Sequence, residues 1–197
     1  SGDFLLRGIA FFIALAPSGA ALSLDRRLRV RRHGPDAQPF PLHAAWPIRL
    51  LQIQVSILYL TAVWDKVAGA TWRSGIAVSY VFRIENLERF PVPASIASSE
   101  LISNVLTYGT LGVELALGIL VWNRKLRPWV LLAGVGLHLG IDYAIRVGFF
   151  SYAIFVLYIA FIPPATMDRW LLALRERLAP LRERYARKRR SAARAAQ

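Results

Sequence analysis

The stretch Val55–Gly75, VSILYLTAVWDKVAGATWRSG, sets the solvent in which this chain folds. Its first half is apolar enough to enter a bilayer, yet Asp65 and Lys66 stand near its C-terminal end. A charge inside a spanning helix costs roughly 2.5 to 3.5 kcal/mol at the bilayer centre and less near the interface, so an ionisable side chain there invites a functional reading. Lys66 is the lead candidate; the plainer alternative is a lysine that snorkels to the headgroups. Asp65 and Lys66 are about 100° apart on a helix, so each needs its own partner or water.

Outward from this stretch, long apolar segments recur at 4–22, 47–66, 101–122, 128–145 and 149–164, separated by short polar clusters. Several reach the roughly 17 to 25 residues that cross about 30 Å of hydrocarbon. With 55% apolar residues, the expected fold is all-α: a polytopic transmembrane helical bundle of about five spans plus an extracytoplasmic interfacial helix. The net charge of +13 is concentrated in Arg26–Arg32, Asn123–Arg127 and the arginine-rich stretch after Arg169. Five spans put these clusters on one side, which the positive-inside rule assigns to the cytoplasm, with Ser1 outside and Gln197 inside. The expected location is therefore the plasma membrane, multi-pass, with the lipid bilayer as partner and nucleic acid excluded as the main one. There are no cysteines, so thiol catalysis and thiolate metal sites are out. The opening Ser-Gly-Asp does not read as a signal peptide, and helices lost upstream would account for an odd number of spans.

Along the chain, Pro17, Ser18 and Gly19 suggest a kink in the first apolar run, and Asp25 reads as an exposed acid balancing Arg26 and Arg27. Residues 30–47 are rich in turn formers and read as a loop; its His33 and His43 lack the further ligands a metal site needs, so no metal is predicted. Pro47 suits the first turn of a helix over Ile48–Val67, in which Gln52, Gln54 and Ser56 offer interhelical hydrogen bonds. Ile76, Tyr80, Ile84 and Leu87 recur at helical spacing, which predicts an interfacial helix ended by Pro91 and Pro93, either roofing Lys66 or merely connecting. Glu114 lies well inside the span Leu101–Trp122, where a carboxyl group needs a cation or a proton. In the fourth span, His138, Asp142 and Arg146 follow at i, i+4 and i+8 on one drifting face, so Asp142 can reach His138 or Arg146, while Gly134, Gly136 and Gly140 permit close helix approach. Gly148 reads as a tight turn before a short aromatic-rich span ended by Pro163 and Pro164. Beyond Met167, Trp170, Leu171, Leu174 and Leu178 mark a helix preceding Arg187–Arg190, for which a cytoplasmic leaflet is the plain partner.

Three blocks of residues, in order and at matching spacing, resemble the HTTM family, the horizontally transferred transmembrane domain that includes vitamin K-dependent γ-carboxylase. Tyr59-Leu-Thr-Ala-Val-Trp-Asp-Lys66 followed by Trp72 and Gly75 is similar to the family's Y-x-x-A-G-x-x-K…W-x-x-G stretch. His138 followed by Gly148-Phe149-Phe150-Ser151-Tyr152 resembles its H…G-x-F-S-Y segment, and Ser23-Leu24-Asp25 its S-[VL]-D. The resemblance implies the later part of an HTTM membrane domain over residues 1–170, of bacterial type, with 171–197 as a basic cytoplasmic tail. It further implies a reduced naphthoquinone as cofactor, as in vitamin K-dependent carboxylation and epoxidation, with Lys66 as base. His138 is the second catalytic candidate, and Asp142, Glu114, Arg146, Trp72 and Tyr59 are supporting groups. A base at Lys66 must be a neutral amine. The substrate expected from the resemblance is a secreted peptide. The alternative is a non-catalytic membrane factor for maturation, export or immunity of such a peptide.

Overall fold

Where they are described, the long apolar runs fold largely as helix in the computed structural model, which describes residues 2–15, 24–34 and 46–195. Two compact units are present, residues 1–161 and 162–197. In the first, helix α1 covers Gly2–Leu15 and α2 covers Leu24–His33, the latter ending where the Gly34 N–H donates to Val30 O at 3.0 Å. Of the expected loop at 30–47, residues 30–33 belong to this helix and 46–47 to the next one, while 35–45 lie outside the described residues. The Pro17–Gly19 kink, Ser23 and His43 lie outside the described residues, as do the side chains of Asp25 and His33.

Helix α3, Trp46–Ala68, starts with Pro47 in its first turn, where a missing N–H costs nothing. Two short helices follow, α4 (Ala70–Arg73) and α5 (Ala77–Val81), then a 3-10 turn at Glu85–Leu87 and the short α6 (Ala94–Ala97). Helix α7 (Glu100–Ile119) is capped by Ser99, whose hydroxyl accepts from Ile102 N–H, and runs on into a 3-10 turn at Leu120–Trp122. Helix α8 spans Arg127–Ala144 and α9 spans Phe150–Ile159. The second unit is the helix α10, Pro164–Ala195. Among the described residues there is no strand, only an isolated antiparallel bridge between Glu88 and Ile145.

That bridge explains why the single interfacial helix expected over residues 75–93 is absent. The Arg89 N–H donates to Ala144 O at 3.2 Å and the Arg146 N–H to Leu87 O at 2.7 Å. A helix continued through Leu87 and Arg89 would withdraw those backbone groups and leave the end of α8 unpaired. Upstream, Gly75 has φ of +78°, and a Cβ there would overlap the Asn104 side chain, so the chain turns where only glycine fits.

Two helices, Trp46–Ala68 and the run Glu100–Trp122, are long and apolar enough to cross a membrane, and a third candidate arises if α9 is counted with the helical run that follows it. Only 28% of an 18-residue apolar window in each of the first two is buried. Their outward faces carry Ile57, Trp64, Leu101 and Val105, all exposed, and α8 adds Trp129, Leu132 and Leu139. So much contiguous exposed apolar surface is the pattern of a protein solvated by lipid.

The inner faces meet in a core of Val55, Tyr59, Leu117, Val121, Ile154, Leu157, Tyr158 and Phe161, joined by Ile9 of α1. Polar side chains tie the helices together as expected for Gln52 and Ser56. Gln52 Nε2 donates to Ala160 O at 2.7 Å, and Trp122 Nε1 donates to Ser56 Oγ at 2.8 Å. The Arg127 guanidinium donates to Val121 O and Phe161 O, closing the same end of the bundle. Of the three glycines expected to allow close approach in α8, only Gly134 does so: an added Cβ would press on Leu117 and the Tyr158 hydroxyl, whereas Gly136 and Gly140 face open space.

Helices α3 and α7 pack antiparallel in a readable register. Trp122 lies on Ser56, Gly118 is so close to Leu60 that a Cβ would sit 2.8 Å from it, and Glu114 reaches Lys66. The steps of four along α7 keep one face on its partner. This register positions the site.

Candidate functional site

Lys66 occupies the last turn of α3, where a cation also complements the negative end of the helix dipole. Its Nζ donates to both oxygens of Glu114, at 2.8 and 2.7 Å. The Glu114 side chain is 8% exposed and that of Lys66 24%, so the carboxylate lies inside the bundle and the amine at its edge. The Trp72 ring, brought back over the site by α4, has its centroid 5.4 Å from Nζ. A cation against an aromatic face gains electrostatically from the ring quadrupole. Asp65 is exposed and stands apart, as its position one residue earlier on the helix requires. Lys66, Glu114 and Trp72 thus form one cluster from three helices.

One face of α3 links this cluster to a second. Tyr59 precedes Lys66 by seven residues, which on a 3.6-residue helix returns to nearly the same side two turns away. The Tyr59 hydroxyl lies 2.7 Å from His138 Nε2 and 2.6 Å from the Tyr158 hydroxyl. Tyr59 has a single proton, so it donates to one neighbour and accepts from the other. If Tyr59 donates to Nε2, Tyr158 donates to Tyr59 and the imidazole proton sits on Nδ1; the reverse chain places it on Nε2. Either way His138 Nδ1 is buried without a partner. The ring is enclosed by Phe150, Phe155 and Tyr158, with centroids 5.8, 6.3 and 6.4 Å away. The absence of a side chain at Gly134 leaves room for the Tyr158 hydroxyl.

The remaining candidates lie elsewhere. Asp142 meets neither His138 nor Arg146. Its Oδ2 accepts from Arg89 NH1 at 2.6 Å, at the rim of the bundle, beside the backbone bridge that holds residues 87–89 against the end of α8. Arg146 falls beyond the helix, which ends at Ala144, so the i+8 relation expected from an unbroken helix does not hold, and its side chain is exposed. The structure therefore brings together Lys66, Glu114, Trp72, Tyr59 and His138, and separates Asp142 and Arg146 from them.

Tyr158 was not a sequence candidate. It sits in FFSYAIFVLYIAFIPP, where almost every residue is apolar or aromatic and no periodicity shows which face turns inward. The pairing of Lys66 with Glu114 was likewise hidden, because it depends on the α3/α7 register. Two opposite charges, each alone in its own apolar span, were the available signal.

Comparison with known proteins yields one match. The family model for the HTTM domain matches residues 3–165, which includes both clusters and the Arg89–Asp142 rim. No curated protein and no solved structure matches.

Proposed function

The chain belongs to the HTTM domain family, and from that premise we propose that it is a quinone-dependent membrane enzyme or peptide-modifying factor in which Lys66 serves as base and Glu114 as its proton partner. The observation that carries this reading is the Lys66–Glu114 pair itself, a half-buried amine held on a buried carboxylate by two short hydrogen bonds beside an aromatic face. Passing one proton from Nζ to a carboxylate oxygen would break an N–H bond, form an O–H bond and remove both charges. The neutral amine so formed can take a proton from an acidic hydroxyl or carbon acid brought to the edge where Lys66 is exposed.

A reduced naphthoquinone would fit these residues by their chemistry. Trp72 offers a flat ring to lie against and Lys66 a base for a ring hydroxyl. When bound, such a group supplies the electrons with which oxygen is reduced. The protein's part is to hold Lys66 in place, to take its proton at Glu114, and to keep water from the imidazole–tyrosine chain by the surrounding Phe150 and Phe155. The finer topology belongs to the same proposal: α1, α3, α7, α8 and α9 as five crossings of the plasma membrane, with the C-terminus in the cytoplasm and a secreted peptide as substrate.

The second reading is a non-catalytic membrane factor for maturation, export or immunity of a secreted peptide. It is favoured by the engagement of Lys66 with both Glu114 oxygens, which is what a purely structural clip would look like. Oxygen-dependent formation of a naphthoquinone epoxide, assayed with the full natural chain in lipid nanodiscs, separates the two. Turnover in the wild type, lost in Lys66→Ala and not restored in Lys66→Arg, is the expected result, since arginine keeps the charge and the carboxylate contact but cannot act as a neutral base. A folded wild type that makes no epoxide overturns the enzyme reading.

A further inference from the structure

The helix α10 presents a face that the bundle chemistry does not use. Met167, Trp170, Leu174, Leu178, Leu181 and Tyr185 follow one another at steps of three and four, and at about 100° per residue they fall within one stripe. Of the residues in this stripe, Trp170, Leu174 and Leu178 are exposed, and Trp170 is 57% exposed. Leu172, also exposed, lies off the stripe on the other side of the helix. Pro180 falls on the polar side and removes one backbone hydrogen bond there, without interrupting the stripe.

Charge grows along the same helix. From Arg182 to Arg190 every residue except Glu183, Tyr185 and Ala186 is basic, and α10 holds more than half of the chain's net charge of +13. A partner must therefore be apolar along one line and anionic on both sides of it and beyond its end. A nucleic acid supplies the anions but leaves an exposed tryptophan and two leucines in water, and a soluble acidic protein would need an apolar groove of matching length besides. The headgroup layer of an anionic leaflet supplies both, with tryptophan at the depth it favours. The bilayer is also at hand, because α10 begins within a few residues of the membrane unit in sequence.

We propose that α10 is an interfacial helix that lies on an anionic phospholipid surface, with the Trp170–Leu174–Leu178 stripe in the acyl boundary and the Arg182–Arg190 run on the headgroup phosphates. This surface is independent of the chemistry at Lys66.

The test uses the full chain reconstituted into nanodiscs of phosphatidylcholine alone or with phosphatidylglycerol, and follows trypsin cleavage at Arg169 to Arg190. Cleavage should be at least about tenfold slower with phosphatidylglycerol, and the difference should vanish near 0.5 M salt, as expected for headgroup attraction that acts only within a Debye length. The triple variant Trp170→Ser, Leu174→Ser, Leu178→Ser keeps every charge and should lose most of the protection; the variant with Ala at 187–190 should lose its dependence on lipid charge. Equal cleavage in the two lipids overturns the proposal. So does protection retained by the triple variant, which would reduce the effect to charge alone, and so does protection conferred by added RNA in phosphatidylcholine discs but not by phosphatidylglycerol.

Discussion

The described residues contain two ion pairs of nearly the same length in opposite settings. Lys66–Glu114, at 2.7 Å, joins two apolar helices, and its carboxylate is 8% exposed. Arg89–Asp142, at 2.6 Å, closes the rim, with side chains 38% and 17% exposed. The Coulomb attraction in a pair depends on separation, but what a broken pair costs depends on where the surviving charge is left. At the rim, water and headgroups take over. Inside the bundle there is nothing to replace a lost partner, so the inner pair ties Lys66 to the α3/α7 register, while the outer pair only adds to a backbone bridge that already exists.

The sharpest way to break this comparison is to remove one member of each pair. Lys66→Ala strands a carboxylate in the bundle, and losses of about 3 to 5 kcal/mol follow when a buried pair is broken from one side. The lower end is expected here because Lys66 lies at the edge. The double variant Lys66→Met with Glu114→Leu, which removes both charges and keeps the volume, should recover most of that loss. Unfolding of each variant in mixed micelles, followed by far-UV circular dichroism, gives the comparison. A double variant no more stable than Lys66→Ala would mean that the pair is not a closed energetic unit.

Tyr59→Phe sharpens it further, since it deletes the middle of a hydrogen-bond chain without touching a charge. It leaves the His138 Nε2 and Tyr158 hydroxyl without their shared partner. Interhelical hydrogen bonds in membranes average about 0.6 kcal/mol and reach about 1.7 kcal/mol, so the two lost together should cost about 1 to 2 kcal/mol, less than the ion pair. Tyr158→Phe, which removes only the terminal bond, should cost about half as much. Equal losses in the two variants would show that Tyr59 is not the hub of the chain.

What the sequence displayed and what it concealed divide along the same line. Helix α3 was readable because its apolar run, Pro47 and the flanking polar residues are local signals, and so was the inward use of Gln52 and Ser56, polar groups that lipid would not accept. The family was readable too, because Tyr59, Lys66, Trp72 and the His138…Ser151-Tyr152 block carry their spacing within the chain. Partners were not. Glu114 meets Lys66 through the packing of α7 on α3, and Asp142 finds Arg89 and not the residues one turn along its own helix. The segment 77–93 shows the same limit for the backbone: its apolar residues keep helical spacing, but the bridge between Glu88 and Ile145 claims the amides that a helix would need. Gly134 and Gly136 look alike in sequence, and only the position of Tyr158 and Leu117 tells them apart.

The smallest effect is expected at the rim, and it is the one that decides whether burial or bond length ranks the two pairs. Arg89→Ala removes a hydrogen bond as short as any in the inner pair, but leaves the Arg89 N–H to Ala144 O and Arg146 N–H to Leu87 O bonds intact, because both use main-chain atoms. Exposed pairs contribute about 0.2 to 1 kcal/mol, so the variant should lose no more than about 1 kcal/mol and should lose less still in high salt, where the wild-type pair is itself screened. Micelle unfolding at low and high salt measures both quantities. A salt-independent loss as large as that of Lys66→Ala would mean that the rim pair is insulated from water in the membrane, and that depth in the bundle does not rank the two.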